Sequence, residues 1–233
     1  AQVLDPHGLD GHPPVEIVID RFTLRPVRKS DAGLFALYAG DKRVADVAVP
    51  VMDNLDLLPS HGDLFMVDFD AEGDRALVRA LAGVTKYDLC IIDCPPALGV
   101  LSLMALACAD EIVIPVTPSI IDVNALVDFI KKLKARNQTS SILGIILTRT
   151  DPRRRIDKQA RATLKRIAAV GIPVMPFEVP EAAVMVESVA PDPETGKAGT
   201  SVFRYKSRDR RRQEQVAKSL ERIGMEMVKC LTK

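Results

Sequence analysis

The stretch that decides the fold is Tyr87–Pro118, YDLCIIDCPPALGVLSLMALACADEIVIPVTP. It contains two short apolar runs, Leu89–Ile92 and Ile112–Val116, and each is followed by polar residues and proline. Between them lies Leu98–Ala109, which has the length that a right-handed crossover helix needs. Because strands covered on both faces are uniformly apolar, the stretch predicts two parallel strands of an α/β sheet joined by a helix.

Outward from this unit, short β-branched runs alternate with longer segments of helical period. Further strands are predicted at Val15–Ile19, Leu55–Leu58, Ile142–Leu147 and Pro173–Pro176. Further helices are predicted at Asp31–Ala39, Glu72–Ala82, Asp122–Arg136, Asp157–Val170 and Asp209–Leu231. The alternation predicts a doubly wound, mainly parallel sheet.

The composition bounds the class of protein. The 233 residues are 47% hydrophobic and 27% charged, which is typical of a soluble globular chain with a sizeable core. Four cysteines form no CxxC pair and only three histidines are present, so neither a zinc site nor a disulfide framework is indicated. No apolar run is long enough for a membrane span, and a cytoplasmic location without membrane association is expected.

Charge is unevenly distributed along the chain. Lys and Arg number 32 against 31 Asp and Glu, yet residues 149–166 hold eight basic residues and two acids. Residues 204–222 hold eight basic residues and three acids. These stretches contain Arg153–Arg155 and Arg210–Arg212, which either bind DNA phosphates without sequence preference or form solvated helix faces.

Asp93 is the strongest candidate for chemistry. We expect it at the carboxyl end of a central parallel strand, with Thr117 at the end of the adjacent strand, where open α/β sheets bind ligands. In phosphate-handling enzymes this is the Walker B position, whose carboxylate holds Mg²⁺. Pro95 and Pro96 force a stiff, non-helical turn that suits a switch. The alternative is an ordinary strand-end carboxylate that caps the next helix.

The pairing of DCPP at residues 93–96 with IPVTP at residues 114–118 closely resembles the ParA/Soj/MinD family of deviant-Walker partitioning ATPases. The resemblance extends over about residues 54–233. It implies a P-loop-NTPase-like fold and the cofactors ATP and Mg²⁺. It also implies a homodimer bound to nonspecific double-stranded DNA, a ParB-like stimulating protein as partner, and a cytoplasmic, nucleoid-associated location.

Two departures from the family pattern matter. The phosphate loop KGGxGKT does not occur in the 233 residues, so we expect the fold to lack its first P-loop unit and to bind nucleotide poorly. Gly196-Lys197 does not replace that loop, because no strand precedes it. Glu181 stands where the family's IPR motif has arginine, which puts one DNA contact in doubt.

The resemblance also implies site residues. Asp93 is the metal ligand and a catalytic carboxylate, and Asp5, in VLDPHG, is the second catalytic candidate as a remnant of the family's DxDPQG switch. The nucleotide-binding set is Asp93, Pro95, Pro96, Thr148, Arg149, Asp151 and Pro180. The DNA-binding set is Arg153, Arg154, Arg155, Arg208, Arg210, Arg211 and Arg212.

The N-terminal segment leaves a second interpretation open. Residues 15–50 resemble the first strand and helix of GNAT-type N-acetyltransferases, although no glycine-containing acetyl-CoA loop follows. We therefore divide the chain into a β-α segment of uncertain origin, residues 1–53, and a ParA-like domain, residues 54–233. The predicted function is that of a partitioning ATPase impaired by the missing loop. The alternatives are a pseudo-ATPase interaction module and an N-acetyltransferase.

Overall fold

The structure is a computed structural model. It describes residues 16–20, 37, 42–52, 54–59, 75–94, 99–137, 141–183, 185 and 209–230. The chain divides into two compact units, residues 1–109 and 110–233, and each is described by itself. The domain boundary predicted between residues 53 and 54 is a different division, and it stays a prediction.

The first unit contains a four-stranded sheet. Its elements are β1 (Glu16–Asp20), α1 (Val44–Val47), β2 (Val49–Met52), β3 (Leu55–Pro59), α2 (Ala76–Leu81), β4 (Leu89–Ile92) and α3 (Val100–Cys108). The strand order is β2-β3-β1-β4. β1 pairs in parallel with β3 and β4, and β2 pairs antiparallel with β3. Leu37, Val44, Leu58 and Leu77 form the buried core.

The second unit contains a three-stranded parallel sheet. Its elements are β5 (Ile112–Val116), α4 (Ile120–Ala135), β6 (Ile142–Thr150), α5 (Arg155–Ala169), β7 (Val174–Pro180) and α6 (Arg210–Cys230). The strand order is β5-β6-β7, so α4 and α5 are crossover helices between neighbouring strands. Ile145 and Leu147 of β6 pack with Leu126 of α4 and Leu164 of α5 in the core.

The predicted α/β class with a mainly parallel sheet is confirmed. All six predicted strands are present, and β4 and β5 have the predicted bounds. α1 and β2 were not predicted, because four residues are too few to show a period. The expectation that Asp93 ends a central strand beside the strand of Thr117 stays a prediction. Among the described residues β4 pairs with β1 in the first unit, and β5 pairs with β6 in the second.

Local sequence fixes where the crossover helices begin and end. Ser119 caps α4, since its Oγ accepts a hydrogen bond from the backbone N–H of Asp122 at 3.0 Å. Asn137 after α4 and Gly171 after α5 have φ values of 57° and 86°. Asn and Gly tolerate this left-handed conformation, which closes the last helical turn.

Gly144 of β6 lies directly under the side chain of Met175 on β7. A Cβ atom at Gly144 would lie 2.8 Å from Cε of Met175 and 3.0 Å from its Sδ. Those distances are shorter than van der Waals contact, so any larger residue at this position requires the half-buried side chain of Met175 to move.

Within the part of the chain that the structure describes, no helix combines the length and apolar character needed to cross a membrane.

Candidate functional site

Asp93 follows β4 directly, as the sequence predicted, and its side chain is exposed. Among the described residues, no hydrogen bond or ion pair involves its carboxylate. The carboxylate is therefore available to a ligand at the carboxyl end of β4. Asp5, Pro95 and Pro96, predicted to act with Asp93, lie outside the described residues.

The fit of Asp93 to Mg²⁺ is partial. Mg²⁺ keeps several waters and takes one or two protein carboxylates, so a single free Asp suits it. In the described ranges, no group of three or more His, Cys, Asp or Glu side chains could hold a metal. Phosphate-binding amides of the KGGxGKT type are also missing from the 233 residues. Asp93 can therefore supply one ligand to Mg²⁺.

The polar side chains at the end of β5 form hydrogen bonds that hold the start of α4. Oγ1 of Thr117 donates a hydrogen bond to the carboxylate of Asp122, whose backbone N–H donates to Ser119. These three residues bind each other and fix the turn between strand and helix.

The segment Thr148–Asp151 lies at the end of β6, beside the end of β7. Thr148 Oγ1 donates to the carbonyl oxygen of Val116 at 3.3 Å, which links β6 to β5. Arg149 has a φ of 54°, and the pairing of β6 with β7 shifts register around it. Thr150 and Pro180 are register partners. The parallel pairing thus brings together four residues predicted for the nucleotide site, and their role in binding stays a prediction.

Asp151 organises the turn after β6. Its carboxylate accepts hydrogen bonds from the backbone N–H of Arg153 at 3.0 Å and from the guanidinium of Arg153 at 2.6 Å. These bonds favour the charged form and hold the pKa of Asp151 well below its ordinary value.

A second ion-pair network joins this turn to the end of β7. Glu181 contacts Arg149 at 3.3 Å and Arg154 at 3.0 Å. Arg154 also faces the fully buried Asp157 of α5 at 3.3 Å, and Asp157 Oδ2 accepts from the backbone N–H of Asp151 at 2.6 Å. Glu181 thus pairs with two arginines of its own chain at the position where the family pattern has arginine.

The predicted DNA-binding arginines fall into two groups. Arg153 and Arg154 make the ion pairs described above. Arg155, Arg210 and Arg211 are exposed and Arg212 is half-buried. In the described segments, no acidic partner is found for these four guanidinium groups. Arg208 lies outside the described residues, and DNA binding by the whole set stays a prediction.

Asp209 caps the start of α6. Oδ1 of Asp209 accepts a hydrogen bond from the backbone N–H of Arg212 at 2.9 Å. The backbone carbonyl oxygen of Asp209 accepts a hydrogen bond from the backbone N–H of Gln213 at 3.0 Å. Asp209 thereby satisfies amide groups that begin a helix, which fixes the first turn that presents Arg210 and Arg211.

A polar cluster that the sequence did not indicate lies near the start of β4. The buried Asp56 of β3 accepts hydrogen bonds from Nζ of Lys86 and from the hydroxyl of Tyr87, both at 2.7 Å. These two bonds lower the pKa of Asp56. The residues are thirty and thirty-one positions apart in the chain, so no spacing in the sequence could reveal them.

A family model described as "AAA domain" matches residues 22–143, just over half of the chain. The chain is also similar to the chromosome-partitioning ATPase Soj of Thermus thermophilus, with 29% identity over 59% of this chain and 56% of that protein. It is 28% identical to maintenance of carboxysome distribution protein A of Halothiobacillus neapolitanus, over 59% of this chain and 61% of that protein. The chain spans between 34% and 61% of the length of these and the other curated relatives considered.

Solved structures agree with the fold. A plasmid partition protein of Borrelia burgdorferi bound to AMPPNP has a TM-score of 0.67 at 21% identity, covering 90% of this chain and 87% of that one. Cobyrinic acid a,c-diamide synthase of Mycobacterium smegmatis with bound ADP and magnesium has a TM-score of 0.58 at 25% identity, covering 72% and 75%. The predicted P-loop-NTPase-like fold is thereby confirmed.

Proposed function

The chain belongs to the AAA domain family, in its ParA/Soj/MinD-like form, and from this premise we propose that it is a ParA-like ATPase of plasmid or chromosome partitioning. In this proposal the protein binds nonspecific double-stranded DNA as an ATP-dependent homodimer. A ParB-like protein stimulates its release, and it acts in the cytoplasm on the nucleoid. The 233 residues are impaired in the nucleotide step, because they contain no KGGxGKT loop.

The observation that carries the proposal is the state of Asp93. It is exposed, follows β4 directly and begins the DCPP motif. A carboxylate with a purely structural role normally accepts hydrogen bonds from its own chain. Asp122 accepts one from Thr117, and Asp209 accepts one from the backbone N–H of Arg212. Among the described residues, Asp93 has no such partner, which supports a role toward Mg²⁺ and nucleotide. Bound Mg²⁺ would neutralise charge on the phosphates.

The arginines that lack acidic partners support the DNA part of the proposal. Exposed guanidinium groups suit phosphate oxygens, and each neutralised phosphate releases counterions, so affinity falls steeply with salt. Arg210 and Arg211 lie at a helix N-terminus, the unfavourable end for cations. A bound polyanion would relieve that repulsion.

Fluorescence anisotropy with two unrelated DNA duplexes over a salt series tests this part. We expect equal affinity for both sequences and a log–log salt slope of about −4 to −5. The triple variant Arg210→Ala, Arg211→Ala, Arg212→Ala should flatten the slope by about two or three units. A matched variant with Lys131, Lys132 and Lys134 of α4 replaced by Ala controls for net charge. No binding by the wild-type chain would refute DNA binding, and an unchanged triple variant would remove α6 from the interface.

The second candidate function is a pseudo-ATPase that keeps the fold as an interaction module. The missing phosphate loop favours it. Sedimentation velocity with and without saturating Mg-ATP distinguishes the two, because the ATPase proposal requires nucleotide, although weakly bound, to increase the dimer fraction and the pseudo-ATPase does not. The family match includes residues 22–50, most of the segment that resembles an acetyltransferase, which favours the ATPase family for that segment.

A further inference from the structure

The exposed face of α5 is uniformly basic. Of the charged residues of this helix, the four that face solvent are cations, and they are Arg155, Lys158, Lys165 and Arg166. The other exposed positions are Gln159, Ala162, Ala168 and Ala169. Arg166 donates to Thr163 at 3.1 Å. In the described part of the chain, no acid pairs with any of the four cations.

The remaining two charges of α5 are directed away from this face. Asp157, the only acid of the helix, is fully buried and bound to Arg154 and to the backbone of Asp151. Arg161 is half-buried, and its guanidinium makes two 2.6 Å hydrogen bonds to the carboxylate of Glu178 on β7. Asp157 and Arg161 thus make contacts within the fold, and the other four charged side chains of α5 are exposed to solvent.

Some cations on the other long helices have acidic neighbours. Lys131 pairs with Asp128 on α4 at 2.9 Å, and Lys218 pairs with Glu214 on α6 at 3.3 Å. Such pairs are the common way to keep a helix surface solvated without a strong field. The face of α5 lacks this compensation, so it carries a local field that attracts polyanions.

The chemistry of the face favours a phosphate backbone over an acidic protein. Protein interfaces are anchored by aromatic and large apolar side chains, and the exposed positions of α5 offer only alanines besides polar groups. From Arg155 to Arg166 the cations span about 16 Å at the rise of an α-helix. That length matches about five phosphates along one strand of duplex DNA.

We propose that the exposed face of α5 is a contact surface for the phosphate backbone of duplex DNA, with Lys158, Lys165 and Arg166 as its principal contacts. This inference rests on the proposed function and deepens it. The sequence pattern pointed to Arg153–Arg155, whereas the ion pairs of Arg153 and Arg154 compete with phosphate. The three residues named here lie beyond that run and have no such competition within the described segments.

Charge reversal tests the inference. The variant is Lys158→Glu, Lys165→Glu, Arg166→Glu, and the control is Lys131→Glu, Lys132→Glu, Lys134→Glu on α4, which makes the same change in net charge. All six positions are exposed, and circular dichroism with thermal unfolding checks that both variants fold. In duplex titrations over a salt series, we expect the α5 variant to lose at least tenfold in affinity and two or three units of salt slope. The control should lose less than about threefold.

The outcomes separate the two proposals. If the wild-type chain binds no duplex, DNA binding and the role of α5 both fail. If the wild type binds and the α5 variant matches the α4 control, the role of α5 fails and DNA binding stands. A further titration uses polyglutamate at equal charge as a competitor of the labelled duplex. If polyglutamate displaces the labelled duplex from the wild type as well as unlabelled duplex does, but not from the α5 variant, the face is a site for acidic protein and the inference is overturned.

Discussion

At the scale of single residues, the left-handed conformation of Arg149 is an unusual feature of β6. A non-glycine residue at a φ of 54° costs about 1 to 2 kcal/mol, because its Cβ crowds the following carbonyl oxygen. Its ion pair with Glu181 joins side chains that are 72% and 43% exposed, and such pairs contribute about 0 to 1 kcal/mol. Strain therefore outweighs the pair, and Arg149→Gly should raise the melting temperature by several degrees.

Arg149→Ala is the matched control, since it loses the same ion pair but keeps the Cβ atom. We expect thermal unfolding to rank the glycine variant above both the alanine variant and the wild type. An alanine variant as stable as the glycine variant would show that the backbone at this position is not strained.

Asp56 makes the stability of the fold depend on pH. Hydrogen bonds from Lys86 and Tyr87 lower its pKa in the folded state relative to about 3.9 in the unfolded chain. A lowered folded pKa contributes stability above the unfolded value, and this stability is lost as pH falls through the folded value. Asp56→Asn should therefore show a smaller fall in melting temperature between pH 5 and pH 2, about the acid range of carboxylates, than the wild type.

The variant Tyr87→Phe supports this test, because it removes one of the two hydrogen bonds and keeps the carboxylate. Its acid sensitivity should lie between those of the wild type and Asp56→Asn. Equal acid sensitivity in all three proteins would mean that other carboxylates account for the whole effect.

At the scale of elements, α5 depends on Asp157. This residue lies in the first turn, fully buried, and accepts the backbone N–H of Asp151 while facing Nε of Arg154. Removing the carboxylate leaves the backbone N–H of Asp151 without its acceptor, while Arg154 keeps its ion pair with Glu181, so Asp157→Ala should destabilise the protein by about 1 to 3 kcal/mol. Denaturant unfolding measures the change. Asp157→Asn keeps the shape and one acceptor and should cost less. A loss below about 1 kcal/mol in the alanine variant would contradict the role of this network.

At the scale of the whole molecule, the chain combines an AAA-family fold with a sequence of 233 residues that contains no KGGxGKT loop. Backbone amides and a lysine supply most of the phosphate recognition in such sites, and Asp93 alone cannot replace them. We expect isothermal titration calorimetry with Mg-ATP to show no micromolar binding. Micromolar affinity that disappears in Asp93→Asn would contradict this and place the nucleotide at the end of β4.

The sequence predicted elements well where an apolar run had clear polar borders. β4 and β5 have their predicted bounds because Asp93 and Thr117 end them. β2 was missed because Pro50 lies within it, and proline is confined to edge strands. β6 is longer than predicted, since its last three residues are polar or charged and extend only through pairing with β7. Strand neighbours depend on such long-range pairing, which is why the antiparallel pairing of β2 with β3 was not foreseen.

The candidate site was predicted in part. The position of Asp93 directly after β4 and the basic start of α6 follow from motif and charge pattern alone. The pairing of Glu181 with Arg149 and Arg154 does not, because the partners are 32 and 27 residues apart. The solvent face of α5 was hidden for another reason. Its cations are spread over three helical turns, so a search for consecutive arginines misses them.

The contact between Gly144 and Met175 has a consequence for the evolution of this chain. A methyl group at position 144 has no room while the thioether lies 2.8 to 3.0 Å from where Cβ would be. The two positions should therefore drift together: lineages that acquire alanine at 144 should first acquire a shorter residue at 175. In the laboratory, Gly144→Ala should be destabilising alone and nearly neutral in combination with Met175→Val. The order of the two substitutions, and not only their identity, then affects the stability of each intermediate sequence.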